Sequence, residues 1–150
     1  MKKTGEEIYS LIPNRYPFMI LDSLEVNENS AVSFINLKED TWIFKCHYPG
    51  NPVLPLSLLV ECMTQTFSAT FLNPPNGEHI DEIPVISSIS ELRLKESLNP
   101  GDTIRLEAVL DSFRRGVAKG ECKAFKNKGL EPIMEISIVE VLPSHMVVMR

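Results

Sequence analysis

A chain of 150 residues with 43% hydrophobic content is long enough to bury one core of its own, as an ordinary globular domain does. A net charge of −5 argues against general nucleic-acid binding. No apolar run reaches the length of a membrane span, and the first residues lack the apolar stretch of a secretory signal, so a cytoplasmic protein is expected.

The elements read in chain order as follows. Thr4 with Glu7 three residues on is a capping-box pattern, which starts a short helix through about Leu11, ended at Ile12-Pro13. Residues 18–27 and 30–38 read as strands joined by a turn at Asn27-Glu28-Asn29. Residues 40–45 fit a short helix or an extended connection equally well. A long helix runs from Pro55 to about Leu72, because a proline suits a first turn, where its missing N–H has no helical partner. Its apolar residues extend nearly all round, which predicts burial. Residues 73–84 form a loop by composition. Strands follow near 85–95, 102–112, 116–127 and 131–142, punctuated by Pro100-Gly101-Asp102 and Arg115-Gly116. The tail from Pro143 is apolar and carries no assignment. The pattern predicts a single α+β domain over 1–150, an antiparallel sheet wrapped round one long central helix, with the strand order open.

The three cysteines, Cys46, Cys62 and Cys122, are odd in number and lack metal-ligand spacing, so reduced thiols are expected and no metal. Small buried cysteines are common, and neither Cys46 nor Cys62 is given a catalytic role. Between Phe113 and Lys128 six basic residues face the single acid Glu121. Such a segment suits a solvated strand pair or a dock for an acidic partner.

Glu61 interrupts the apolar helix. A carboxylate is costly to bury unless it is paired or neutralised. Ser57, Glu61, Gln65 and Ser68 form a polar stripe at helical spacing, which suits a solvent-facing or subunit contact. It also suits a pocket carboxyl with a raised pKa that donates a proton near neutral pH. Fourteen residues earlier, His47 precedes Tyr48-Pro49-Gly50, a constrained backbone that could aim an imidazole as a general base. The free N–H groups of Leu56 and Ser57 at the helix start could receive negative charge developing on a carbonyl oxygen; Pro55 cannot donate. Base, acid and helix start together suit proton removal beside a carbonyl.

These residues also carry a resemblance. His47-Tyr-Pro-Gly-Asn-Pro-Val-Leu-Pro55, followed by Glu61-Cys-Met-Thr-Gln65, resembles the signature of the FabZ-type 3-hydroxyacyl-[acyl-carrier-protein] dehydratases. Ile12–Asp22, Asn99–Glu107 and Arg114-Arg115-Gly116 resemble further segments, so the likeness runs roughly from Ile12 to Leu142. It implies a hotdog fold, a dimer with active sites at the subunit interface, and often a trimer of dimers. It implies that His47 of one subunit takes a proton from C2 while Glu61 of the partner protonates the departing C3 hydroxyl, directly or through a water. The Leu56 N–H would polarise the thioester carbonyl. The product would be a trans-2-enoyl thioester, in fatty-acid, polyketide or polyene synthesis, with no metal or redox cofactor. Gly50, Leu56, Ser57, Gln65 and Phe71 would bind substrate, and Arg114, Arg115 and Lys119 would dock the acidic carrier protein. The loop 73–84 would gate the acyl tunnel, with Phe71 at its entry.

Five positions depart from the pattern: Cys46 and Leu56 replace glycines, Ser57 replaces valine, Asn14 stands where histidine is common, and Thr64 where alanine is. They leave the acid–base pair intact and bear on the acyl group accepted. A hotdog thioesterase and a non-catalytic carrier-binding subunit are the competing readings.

Overall fold

The computed structural model describes residues 2–146, in which seven antiparallel strands form one sheet: β1 (Lys2–Thr4), β2 (Ser23–Val26), β3 (Ser30–Asn36), β4 (Val85–Ile89), β5 (Thr103–Arg114), β6 (Val117–Lys126) and β7 (Met134–Val141). Their order across the sheet is β1-β2-β3-β5-β6-β7-β4. Helix α1 (Ile43–Cys46) is a single turn, α2 (Leu56–Leu72) lies against β3, β5 and β6, and α3 (Pro143–Met146) closes the described chain. None of these helices is long and apolar enough to cross a membrane.

Helix α2 is enclosed over nearly its whole length, with every residue from Leu58 to Leu72 buried except Glu61. Its hydroxyl residues tolerate this because the helix satisfies them: Thr66 donates to the Cys62 carbonyl at 2.9 Å and Thr70 to that of Phe67 at 2.7 Å. Thr66 also meets Ser33 of β3 at 2.7 Å, a polar stitch between helix and sheet.

The sheet bends where β5 carries an extra residue between Leu110 and Ser112, opposite Gly120 and Lys119 of β6. At that bend Phe67 presses on the sheet. A Cβ on Gly120 would collide with the Val109 carbonyl oxygen and stand 2.5 Å from the Phe67 ring. Gly120→Val is therefore expected to destabilise the fold by about 1–3 kcal/mol through overpacking, read as a lower midpoint in thermal unfolding. The β5–β6 hairpin turns on Arg115 (φ 52°) and Gly116 (φ 74°), the paired positive values of a tight two-residue connection.

Several predicted boundaries shift. The N-terminal helix is a 3₁₀ helix, Gly5–Ser10, and its predicted cap survives as Glu7 Oε2 accepting the Thr4 N–H at 3.1 Å. The strand expected over 18–27 begins at Ser23. Its apolar forerunner is held outside the ladder, with Met19 N–H bonded to the Arg15 carbonyl and the Trp42 indole bonded to that of Pro17. The strand expected over 85–95 stops at Ile89; beyond it the chain touches β7 at Ser90 and the Ile133 carbonyl at Lys95 without a continuous ladder. In the open segment 40–45, Ile43 onward is helical. The unassigned tail becomes α3, and its end lies outside the described residues.

Candidate active site

His47 caps the C-terminus of α1, its N–H bonded to the Ile43 carbonyl at 2.9 Å. The chain then reverses through Tyr48-Pro49-Gly50-Asn51, where Tyr48 and Asn51 exchange backbone hydrogen bonds and Gly50 takes φ 76°. This reversal brings Val53 back to His47. The Val53 N–H donates to the His47 carbonyl, and His47 Nδ1 stands 2.9 Å from the Val53 carbonyl oxygen. A carbonyl can only accept, so this contact places the ring proton on Nδ1 and leaves the Nε2 lone pair free to take up a proton. Tyr48 stacks on the imidazole with ring centroids 4.0 Å apart, which further fixes its plane.

Pro55 then precedes α2 in an extended conformation and no side chain caps this end. Its carbonyl accepts the Leu58 and Leu59 N–H groups, leaving those of Leu56 and Ser57 as the donors of the helix start. Among the described residues, positive φ outside glycine occurs only at Arg115 and Asn127, so Leu56 sits in its glycine-like place without backbone strain.

Glu61 is half-buried one turn further along. Its Oε1 accepts from Gln65 Nε2 at 2.8 Å and from Asn14 Nδ2 at 3.3 Å. The Gln65 amide also donates to the Phe18 carbonyl at 3.3 Å, tying the N-terminal segment to the helix. Asn14, one of the departing positions, is thus a direct partner of Glu61. Glu61, Gln65 and Ser68 border a cavity of about 80 Å3 with Asn14, Thr64, Ile83, Pro84, Ile86 and Glu140. Ser57, expected on the same stripe, is exposed and lies outside it. His47 is not among the residues that border this cavity either.

Glu140 was not legible as a site residue, yet it is 1% exposed and faces Glu61's cavity from β7. Ser68 Oγ donates to its Oε2 at 2.7 Å, and burial pushes its carboxyl up to about 8. The signal was the strand alternation: Met134, Ile136 and Ile138 point inward, and Glu140 is next in that register.

The other expected residues fall as follows. Gly50 is exposed at the reversal. Phe71 is 1% exposed and packs between Phe67 and Phe113, a core position away from the Glu61 cavity. The loop 73–84 is anchored by Asn73 Nδ2 on the Leu11 and Ala69 carbonyls and by Glu82 on Ser144, while its end, Ile83-Pro84, borders that cavity. Arg114, Arg115 and Lys119 are exposed at the β5–β6 hairpin and make no ion pair among the described residues, whereas Lys123 and Lys126 pair with Glu135 and Asp102. Cys62 is buried and its thiol is pushed far up by that burial, which removes it as a nucleophile. Among the described residues no group of His, Cys, Asp or Glu could hold a metal ion.

The curved sheet round one buried helix, with an aimed histidine and a cavity glutamate, defines a hotdog protein equipped for acid–base chemistry. Comparison with known proteins makes this specific. Residues 12–135 match the family described as the FabA-like domain. The 3-hydroxyacyl-[acyl-carrier-protein] dehydratases FabZ of Chloroflexus aggregans and Herpetosiphon aurantiacus are each 37% identical to this chain, over 79% and 81% of it and 83% and 86% of their own lengths. The chain belongs to the FabZ-type dehydratase family. The dehydratase heterocomplex ApeI:P from Xenorhabdus doucetiae shares the fold, with a TM-score of 0.78 over 95% of each chain at 12% identity.

Proposed function

We propose that this protein removes water from 3-hydroxyacyl thioesters carried on acyl carrier protein, giving the trans-2-enoyl thioester. The observation that carries the reading is the Nδ1 bond of His47 to the Val53 carbonyl, which leaves Nε2 free as a base in the segment that leads into an uncapped helix start. Nε2 takes the C2 proton. The negative charge that develops on the thioester oxygen meets the Leu56 and Ser57 N–H groups. The electron pair from the C2–H bond is held first as the enolate, then forms the C2=C3 double bond as the C3–O bond breaks, and Glu61 supplies the proton that lets the hydroxyl leave as water. His47 is then protonated and Glu61 ionised; both must be reset before the next turnover. The residues require no metal or redox cofactor for these steps.

Each site would combine His47 of one chain with Glu61 of a second. Two features support this pairing. His47 does not border the Glu61 cavity of its own chain, and that cavity opens beside β4, an edge strand. Ile83, Val85 and Ile86 at that edge are exposed at 69%, 39% and 42%, an apolar border suited to a second copy. Further assembly as a trimer of dimers is compatible with the same interface.

Arg114, Arg115 and Lys119 form the surface for the acidic carrier. Arg114→Glu with Arg115→Glu is expected to lower kcat/KM on carrier-bound substrate by about tenfold, mainly through KM and less at high salt. Steady-state kinetics on carrier-bound and free pantetheine thioesters would check it, the latter being unaffected. The reading as a whole is tested by mass spectrometry on a panel of 3-hydroxyacyl carrier proteins. Loss of one water supports it and shows the acyl length preferred, which the Leu56 side chain would limit. Release of the acyl group without enoyl product would indicate a thioesterase instead.

A further inference from the structure

The mechanism uses one carboxyl, but the cavity beside Glu61 is walled by two. Glu140 reaches it from β7, and the α2 residues Gln65 and Ser68 stand between the pair. One oxygen of Glu140 is occupied by the Ser68 hydroxyl. Its other oxygen, Oε1, is buried without a hydrogen-bond partner among the described residues, and so is Oε1 of Gln65. Two buried acceptors facing one small polar space need donors. A proton on Glu140 provides one, and water provides more: about 80 Å3 is room for it, and the walls offer the polar partners it needs.

We infer that Glu140 is a positioning residue of this site, a neutral acid whose proton recharges Glu61 through water in their shared cavity. The inference rests on the dehydratase reading of Glu61. After Glu61 has given its proton to the departing hydroxyl, the Glu140 O–H bond breaks and its proton passes to a cavity water. That water passes one of its own protons to the Glu61 carboxylate. Glu61 is again an acid and Glu140 a carboxylate, which recovers its proton from the solvent or from the imidazolium left on His47.

The surroundings favour a neutral Glu140. The titratable group facing it among the described residues is Glu61, whose negative charge adds to burial in keeping the proton on Glu140, so the transfer to Glu61 runs uphill and is completed when Glu61 hands the proton to the next departing hydroxyl. The paired strands present Ile86 of β4 and Ala118 of β6 opposite Glu140, and the N-terminal segment presents Asn14. Among the described residues no lysine, arginine or histidine lines the cavity. Because the two carboxyls interact, their protons leave as a coupled pair.

Glu140→Gln keeps the shape and the Ser68 contact but has no proton to release. In wild type, kcat should hold until Glu140 ionises, near pH 8, and then fall. In Glu140→Gln that fall should begin at least about one pH unit lower, with Glu140→Asp intermediate. A merely structural role would instead lower activity by the same factor at every pH, and parallel profiles would overturn the proposal. A second measurement needs no substrate and so stands apart from the dehydratase reading. Infrared difference spectra of wild type at neutral pH should show the C=O band of a protonated carboxyl that Glu140→Gln lacks. Its titration midpoint should move to lower pH in Glu61→Gln, where the facing charge is gone. Absence of the band, or a midpoint indifferent to Glu61→Gln, would overturn the coupling whatever the substrate proves to be.

Discussion

His47→Ala is expected to reduce kcat on a 3-hydroxyacyl carrier protein by about 10²–10⁴-fold, the usual worth of a positioned general base. The loss falls on kcat because the imidazole acts on the C2 proton as it leaves, an interaction absent from simple binding. The fold should survive. His47 is half-buried, and the reversal that carries it is closed by backbone bonds between Tyr48 and Asn51 and between Val53 and His47, which alanine retains. Circular dichroism and thermal unfolding beside the kinetics would establish this. A folded His47→Ala protein with wild-type kcat would remove the base from the mechanism.

Glu61→Gln should cost a similar factor, about 10²–10⁴ in kcat, for the complementary reason: the amide fills the same space and cannot give up a proton to the leaving hydroxyl. Gln65 and Asn14 currently donate to the carboxyl at 2.8 and 3.3 Å, and the introduced amide can turn its oxygen to receive them. The variant therefore tests proton donation with little change in packing. Pre-steady-state kinetics should show exchange of the C2 proton outlasting the loss of water release, since His47 is untouched. Loss of both together, in a folded protein, would mean that Glu61 positions the substrate and does not act as its acid.

The long helix and the hairpin at Arg115-Gly116 were legible because their signals are local: a proline at a first turn, apolar residues all round the helix, a glycine that permits positive φ. Strand order was not, because pairing depends on contacts between distant segments; β4 lies beside β7 at the edge although it precedes β5 in sequence. Residues 18–22 misled for a related reason. Their apolar run suits a strand, but Met19 and Leu21 are buried from a coil whose backbone is held by Arg15 and Trp42. In the candidate site, the helix start at Leu56 and the place of Glu61 on that helix were legible from residue type and spacing. Asn14 as a partner of Glu61 was not, since 47 positions separate them. Phe71 was placed at a tunnel entry from its position next to the loop, whereas its ring is buried between Phe67 of its own helix and Phe113 of β5, a contact set by packing between distant segments.

That each site takes its base from one chain and its acid from another is tested most directly by mixing two inactive proteins. Equal amounts of His47→Ala and Glu61→Gln chains would be unfolded together, refolded, and assayed by mass spectrometry for water loss from a 3-hydroxyacyl carrier protein. In a mixed dimer one site receives both substitutions and the other receives neither, so random pairing should restore about a quarter of wild-type activity. A refolded mixture that forms mixed dimers and stays as inactive as either parent would contradict the shared site.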